Sequence, residues 1–126
     1  MLASRHRFQG RNSLTAAYRR GLVVRSQSLQ LRVLKNQSAS YRLAVVVSKK
    51  VHKSAVVRNR IRRRIYEIAR VRLDESNTAD VIISVFDVRL ATVSGEELQK
   101  TVVKLFLRGG LRLTDGPQRA IVESEV

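Results

Sequence analysis

At 126 residues the chain is long enough for one domain with a single core and too short for two. Its hydrophobic fraction of 44% is that of a folded protein, and the absence of cysteine excludes a disulfide scaffold and a cysteine-ligated zinc site. The net charge of +15 is lopsided: residues 1–72 carry nineteen Lys and Arg against one acid, Glu67, while residues 73–126 carry six against nine, the electrostatic footprint of a nucleic-acid binder.

The first eleven residues read as a basic, extended arm with Phe8 as its apolar anchor. No apolar h-region follows its basic residues, so it is not read as a secretory signal. Asn12 or Ser13 caps a short helix running to Arg20, with Leu14, Ala17 and Tyr18 on one face and Gly21 where a C-terminal glycine is expected. Leu22-Val23-Val24 predicts a short strand. Leu29, Leu31 and Val33 alternate with Gln30 and Arg32, which predicts a strand with one wet face. The polar run Lys35–Ser40 suits a hairpin turn. Tyr41–Val47 follows as a strand that is nearly all apolar at its end and is expected to be buried on both faces.

The centre of the chain is the stretch from Ser48 to Ile68. Lys49, Lys50 and Lys53 form a lysine-rich link, Ser54 is a candidate N-cap, and a helix over roughly 55–73 follows. Val57, Ile61, Ile65 and Ile68 recur at one-face spacing. Arg58 and Arg60 flank that face, Asn59, Arg62, Arg63, Tyr66 and Arg70 lie opposite, and Arg64 sits near the apolar edge with its guanidinium expected to reach outward. Six arginines within thirteen residues, opposed only by Glu67, repel one another in the free helix. A phosphate backbone relieves that repulsion. Arginine suits bidentate contacts to it, while the lysines add point charges beside a helix N-terminus. A solvated charged face is the bland reading, and the unmixed sign of the charges weighs against it. A basic helix on anionic lipid ranks lower still, because its apolar positions look like core.

Asp74–Thr78 is read as a turn, Asp80–Phe86 as a buried strand, and Ser94-Gly95-Glu96-Glu97 as a capping box. The helix it opens carries Leu98, Val102, Leu105 and Phe106 on one face and stops at Gly109-Gly110. Residues 1–113 form the expected domain and 114–126 a tail. No apolar run approaches the ~18–20 residues of a membrane helix, so no membrane partner is expected.

Candidate catalysts are missing. His6 and His52 stand alone in basic surroundings and read as surface residues. Asp74, Glu75, Asp80 and Asp87 are too scattered to hold paired metal ions, and no Gly-rich phosphate loop occurs. The sequence therefore points to binding of nucleic acid, with no catalytic or metal-ligating residue in this chain. Tyr66 on the wet side is a candidate base-stacking residue, Tyr41 a core residue, and Phe8 and Tyr18 are open between the two.

Val47-Ser48-Lys49-Lys50, followed after seven residues by Arg58-Asn59-Arg60-Ile61-Arg62-Arg63, resembles the signature of the bacterial ribonuclease P protein family. The likeness spans about residues 5–108. It implies an α/β (α+β) sandwich of α-β-β-β-α-β-α order, similar to the second domain of ribosomal protein S5, with a left-handed βαβ crossover where most are right-handed. It implies a cytoplasmic protein paired 1:1 with a catalytic RNA subunit. The reaction implied is Mg²⁺-dependent removal of the 5′ leader from precursor tRNA, with the metal held mainly by RNA. By position, Lys49, Lys50, Arg58, Asn59, Arg60, Arg62 and Arg63 resemble the RNA-contacting signature, to which the charge pattern adds Lys53 and Arg70. Phe8, Leu14, Tyr18, Leu31, Arg32 and Ser48 resemble the leader-binding cleft, with Leu14 and Arg32 standing where aromatics are common. A basic ribosomal-type RNA-binding protein and a metal-dependent nuclease acting alone are the rival readings.

Overall fold

The computed structural model describes residues 4–8, 11–37 and 40–114. A 3-10 turn at Ser4–His6 precedes α1 (Arg11–Arg20), β1 (Leu22–Arg25), β2 (Leu29–Lys35), β3 (Arg42–Val47), α2 (Ala55–Arg72), β4 (Ala79–Val85), a second 3-10 turn (Val88–Ala91) and α3 (Gly95–Arg108). The strands form one sheet in the order β1-β2-β4-β3. β1 and β2 are antiparallel, β2 and β4 are antiparallel, and β3 runs parallel to β4 with α2 as the connection. This is the mixed α+β arrangement expected from the sequence.

The expected hairpin at Lys35–Ser40 does not form, because β4 inserts between β2 and β3. β4 is apolar except for Asp80 and Ser84 and is buried along both faces, with only Ser84 partly open. A strand of that kind is most stable at the centre of a sheet, where both faces are covered. The tight hairpin is instead β1-β2. It turns through Ser26–Ser28, with the Ser26 side-chain hydroxyl and backbone amide closing on Leu29: Ser26 N donates to Leu29 O at 2.9 Å, and Leu29 N to Ser26 Oγ at 3.2 Å. β3 is displaced to an edge. It is not buried on both faces, and Val46 is 37% exposed.

Alternation along the strands divides the sheet into two faces. Leu29, Leu31, Leu43, Val45, Val81 and Ile83 meet Ile61, Ile65 and Ala69 of α2 and Leu98, Val102, Leu105 and Phe106 of α3 in one core. The 4-4-3 spacing of α2 is thus the core-facing stripe it was read to be, with Ala69 added and with Val57 and Ile68 at its half-buried margins. The other face is covered in part by α1, which crosses β2 and β4 and buries Ala17 together with Ile82. Gln30, expected to be wet, lies buried on this second face.

The ends of α2 and α3 follow the sequence closely, whereas α1 already begins at Arg11, so Asn12 and Ser13 lie inside it and neither is its N-cap. Ser54 Oγ accepts from Val57 N, and Ser94 Oγ accepts from Glu97 N at 3.1 Å. Gly21 does follow α1, but without a left-handed backbone. What demands glycine there is space, since a Cβ would fall 2.5 Å from the Ala17 carbonyl oxygen. Gly110, at φ 78°, takes the left-handed turn that ends α3.

Two segments read as loose are tied down. Leu113 bridges Leu73, Thr114 N donates to Arg72 O at 2.7 Å, and Thr114 Oγ1 to Val71 O at 2.6 Å. The domain thus reaches Thr114, and residues 115–126 of the expected tail lie outside the described residues. His6, read as a surface residue, is buried. Its ring stacks on Tyr41 at 3.9 Å, Nδ1 lies 2.9 Å from Tyr41 O, and Nε2 lies 3.2 Å from Glu75 Oε1. Tyr41 is core, as expected, and burial pushes its hydroxyl pKa up, with Glu75 adding to the effect. The described part of the arm is therefore pinned through Arg5 and His6 to Tyr41 at the start of β3 and to the α2–β4 turn. His52 is on the surface, as expected.

Candidate nucleic-acid interface

The lysine link is a structured loop. Val51 N donates to Ser48 O at 3.0 Å, and Ser54 N donates to His52 Nδ1 at 2.9 Å. Arg58 reaches back one and a half turns, its Nη1 donating to His52 O at 3.0 Å and Lys53 O at 3.1 Å. Val51 packs against the core and anchors the loop from below. Ser48, Lys49, Lys50 and Lys53 are left exposed, and among the described residues the three lysines have no acidic partner. No acid stands in the first turn of α2 either. The positive end of the helix dipole therefore adds to the lysines instead of being neutralised.

The arginines of α2 divide into two groups. Arg60 and Arg63 are exposed, and among the described residues they make no hydrogen bond or ion pair. Asn59 is exposed beside them and accepts from Arg62 Nη2. Arg70 is engaged by Glu67, Nη2 to Oε2 at 2.8 Å, which holds that carboxyl below its usual range. Both side chains are about half exposed, so the pair is weak and yields readily to a phosphate. Arg64 corrects the expectation of an outward guanidinium. Its Nη1 donates to Leu90 O at 2.6 Å and its Nη2 to Val93 O, clamping α2 to the turn before α3.

Tyr66 is a second correction. It is half-buried against the core, and its hydroxyl accepts from Val45 N at 3.1 Å. β3 is an edge strand, so that amide has no strand partner on its outer side, and Tyr66 supplies one. Its ring packs on the core and its hydroxyl is engaged, so it does not stand free on the wet side as the sequence suggested. Tyr66→Phe is expected to cost about 1 kcal/mol in urea unfolding and to leave RNA affinity unchanged. A selective loss of RNA binding would return Tyr66 to the interface.

The cleft residues fall on the second sheet face, with one exception. Leu31 is fully buried in the core on the opposite face. Strand alternation puts it there as soon as Arg32 faces the cleft, so it does not touch a leader. Arg32 lies over the Tyr18 ring at 4.9 Å, and Tyr18 is 39% exposed. Phe8 is half-buried with Arg42 over its ring at 5.7 Å, Leu14 is half-buried on α1, and Ser48 closes the end of β3.

Two features of this face were missed. Arg42 forks onto the buried Asp80, Nε to Oδ1 at 2.7 Å and Nη2 to Oδ2 at 2.9 Å, and Asn36 Nδ2 donates to the same carboxylate at 2.7 Å. The two charged residues face each other in the β3–β4 register, which no local pattern discloses. Phe86 was read as the buried end of a strand. The strand ends at Val85, and Phe86 is 47% exposed with the Arg25 guanidinium 5.0 Å from its ring centre. Asp87, which caps the following 3-10 turn, was the available signal.

Among the described residues, the acids do not gather into a magnesium site. Asp80 is taken by Arg42 and Asn36, Glu75 by Arg5 and His6, and Asp87 by Arg89. Arg5 and His6 hold the Glu75 carboxyl below its ordinary range, and Arg89 does the same to Asp87. No group of three ligating side chains occurs among the described residues. The surface offers exposed cations, with no such group of potential metal ligands among the described residues.

The ribonuclease P family model matches residues 2–109 of this chain. The chain is 37% identical over 76 residues to the ribonuclease P protein component of Pseudanabaena sp., a stretch covering 60% of this chain and 66% of that one. It is 49% identical over 59 residues to the corresponding protein of Clostridium botulinum, covering 47% and 52%. These matches span between about half and two thirds of the relatives' length. A Bacillus cereus relative aligns over 112 residues at 26% identity, covering 88% of this chain and 96% of that one. The fold superposes on a mutant of the Staphylococcus aureus RNase P protein with a TM-score of 0.73 at 22% identity, covering 84% and 89% of the two chains. It superposes on the Thermotoga maritima RNase P protein with a TM-score of 0.69 at 19% identity, covering 81% and 96%. With the match running from the N-terminal arm to the end of α3, the chain belongs to the ribonuclease P protein family.

Proposed function

We propose that this protein is the subunit of ribonuclease P that binds the catalytic RNA and the 5′ leader of precursor tRNA, and so assists Mg²⁺-dependent removal of that leader. One observation carries the reading. Lys49, Lys50, Lys53, Arg60 and Arg63 are exposed and without acidic partners among the described residues, on a loop and helix rigidly seated on the core. The seated backbone fixes where these charges stand, so little backbone freedom is given up when they meet phosphates. Arg58, Asn59, Arg62 and Arg70 complete the catalytic-RNA surface. Phe8, Leu14, Tyr18, Arg32 and Ser48 take the leader on the other sheet face.

Hydrolysis then belongs to the RNA, which with the substrate holds the Mg²⁺; the protein's part is electrostatic. Its cations screen repulsion between two RNA molecules, so the RNA needs less Mg²⁺ to bind and cut its substrate. The protein acts in the cytoplasm, one copy per RNA.

Adding the protein to the catalytic RNA and following precursor tRNA cleavage tests this. Stimulation is expected to be large at low Mg²⁺ and to shrink as Mg²⁺ rises. No stimulation at any Mg²⁺ concentration would favour a ribosomal-type binder, and cleavage by RNA-free protein would favour a nuclease. Affinity for the RNA is expected to fall with salt at a log–log slope of about −0.7 to −0.9 per phosphate neutralised. A flat titration contradicts a phosphate-led interface.

A further inference from the structure

His52 stands in the middle of the lysine loop and is exposed, yet it is tied on both sides. Its ring Nδ1 accepts from Ser54 N at 2.9 Å, and its carbonyl oxygen accepts from Arg58 Nη1 at 3.0 Å. A bond from a side-chain acceptor to the amide two residues on is what Asn and Asp make in a turn. Here an imidazole makes it. An amide N–H only donates, so Nδ1 is the unprotonated nitrogen and the neutral ring carries its proton on Nε2.

Ser54 joins this turn to α2. Its amide goes to His52, its Oγ accepts from Val57 N at 3.4 Å, and its carbonyl oxygen accepts from Arg58 N at 3.2 Å. The ring thus sets how the loop enters the helix. Lys49, Lys50 and Lys53 stand on that loop without acidic partners among the described residues, so they repel one another. The Val51 N–Ser48 O bond and the packing of Val51 on the core hold the first half of the loop. Among the described residues, the imidazole is the one side chain of residues 49–53 that makes a hydrogen bond, and it holds the second half.

We infer that His52 is a positioning residue for RNA binding: by closing the turn onto Ser54 it holds Lys49, Lys50 and Lys53 in the arrangement that meets phosphates. It acts through the lysines and does not itself touch the RNA. Without the ring the Ser54 amide faces water and the loop samples more conformations. The lysines must then be ordered when the RNA arrives, which costs affinity. This deepens the catalytic-RNA part of the proposed function and rests on it.

The test measures the affinity of the full chain for the catalytic RNA at pH 8, above the range in which histidine ordinarily gains its proton. His52→Ala is expected to weaken binding by about 2- to 10-fold, the scale of one hydrogen bond. His52→Asn places an oxygen where Nδ1 stands, closes the same turn, and is expected to bind within about 2-fold of wild type. His52→Gln places its polar group where Nε2 stands and is expected to behave like His52→Ala. Full affinity in His52→Gln, or a loss in His52→Asn, overturns the inference, since the ring would then act through Nε2 on the RNA itself. Equal affinity of wild type and His52→Ala also overturns it. A second arm replaces Lys49, Lys50 and Lys53 together by alanine. In that background His52→Ala is expected to cost nothing further, because the charges it positions are gone, and additive losses contradict a role through the lysines. Hydrogen exchange at the Ser54 amide, read without RNA, is expected to be faster in His52→Ala and His52→Gln than in wild type and His52→Asn. Uniform exchange would mean that the turn is not closed by the ring. Cleavage stimulation by the wild-type protein keeps the two readings apart. If it stimulates the catalytic RNA but His52→Ala binds that RNA equally well, only the positioning role fails. If it neither binds nor stimulates the catalytic RNA, the subunit reading fails whatever the Ser54 amide shows.

Discussion

Replacing Arg60 and Arg63 together by alanine is expected to remove RNA affinity while leaving the fold as stable as before. Each charge-assisted phosphate contact contributes about 1–3 kcal/mol, and the log–log salt slope is expected to fall by nearly one per cation removed. Neither guanidinium has a partner within the described residues, so the folded state loses no hydrogen bond or ion pair. Alanine favours helix, and removing Arg60 relieves its i,i+4 repulsion with Arg64. Unfolding free energy should therefore stay within about 0.5 kcal/mol of wild type. Arg70→Ala is the internal comparison. Arg70 must first leave Glu67, so its net contribution to RNA binding is smaller. Equal affinities for the double variant and the wild type at moderate salt would sink the α2 interface. A parallel loss of stability would mean that these side chains act within the fold.

Arg42→Ala is expected to show the reverse pattern, with a large loss of stability. Asp80 is 3% exposed and depends on a two-point contact with Arg42, with Asn36 as an added donor. Removing the guanidinium strands a carboxylate in the sheet. The scale for such a loss is about 3–5 kcal/mol for a fully buried pair, and the Arg42 side chain, at 20% exposure, brings it down to about 2–4 kcal/mol. The double replacement of Arg42 and Asp80 by alanine is expected to recover much of the loss, because no unpaired charge remains. Urea unfolding of the two single variants and the double variant measures the coupling. Additive single-variant costs would show that the pair is solvated and contributes little. Arg42→Ala also takes the guanidinium off the Phe8 ring, so a weaker grip on single-stranded RNA should accompany the stability loss.

Helix α2 shows how far local pattern reaches. Its cap, its stripe and its length were all legible, because a helix satisfies its hydrogen bonds within itself and its period is a property of neighbours in sequence. The same holds for α3, from the Ser94 cap to the Gly110 turn. Strands were found but not their order. The apolar content of β4 does announce burial on both faces, yet only its pairing with both β2 and β3 removed the hairpin expected at Lys35–Ser40. Leu31 failed as a cleft residue for a similar reason, since one step along a strand exchanges the two faces of the sheet.

The roles of the charged and aromatic side chains were legible only in part. The charge pattern and the Arg-Asn-Arg signature singled out a cation-rich surface, but not which guanidiniums stay unengaged. Arg64 is consumed by carbonyls 26 and 29 residues away, and Tyr66 by an amide 21 residues away. His6 is buried by Tyr41 and Glu75, which lie 35 and 69 residues further on. By itself, the sequence determined that this is a cation-rich single domain with an arginine helix docked through an apolar stripe, because charge and periodicity are written in consecutive residues. The tertiary structure decided which cations remain unpaired and which aromatics lie on the second sheet face, because a donor is occupied only when a distant acceptor is brought to it.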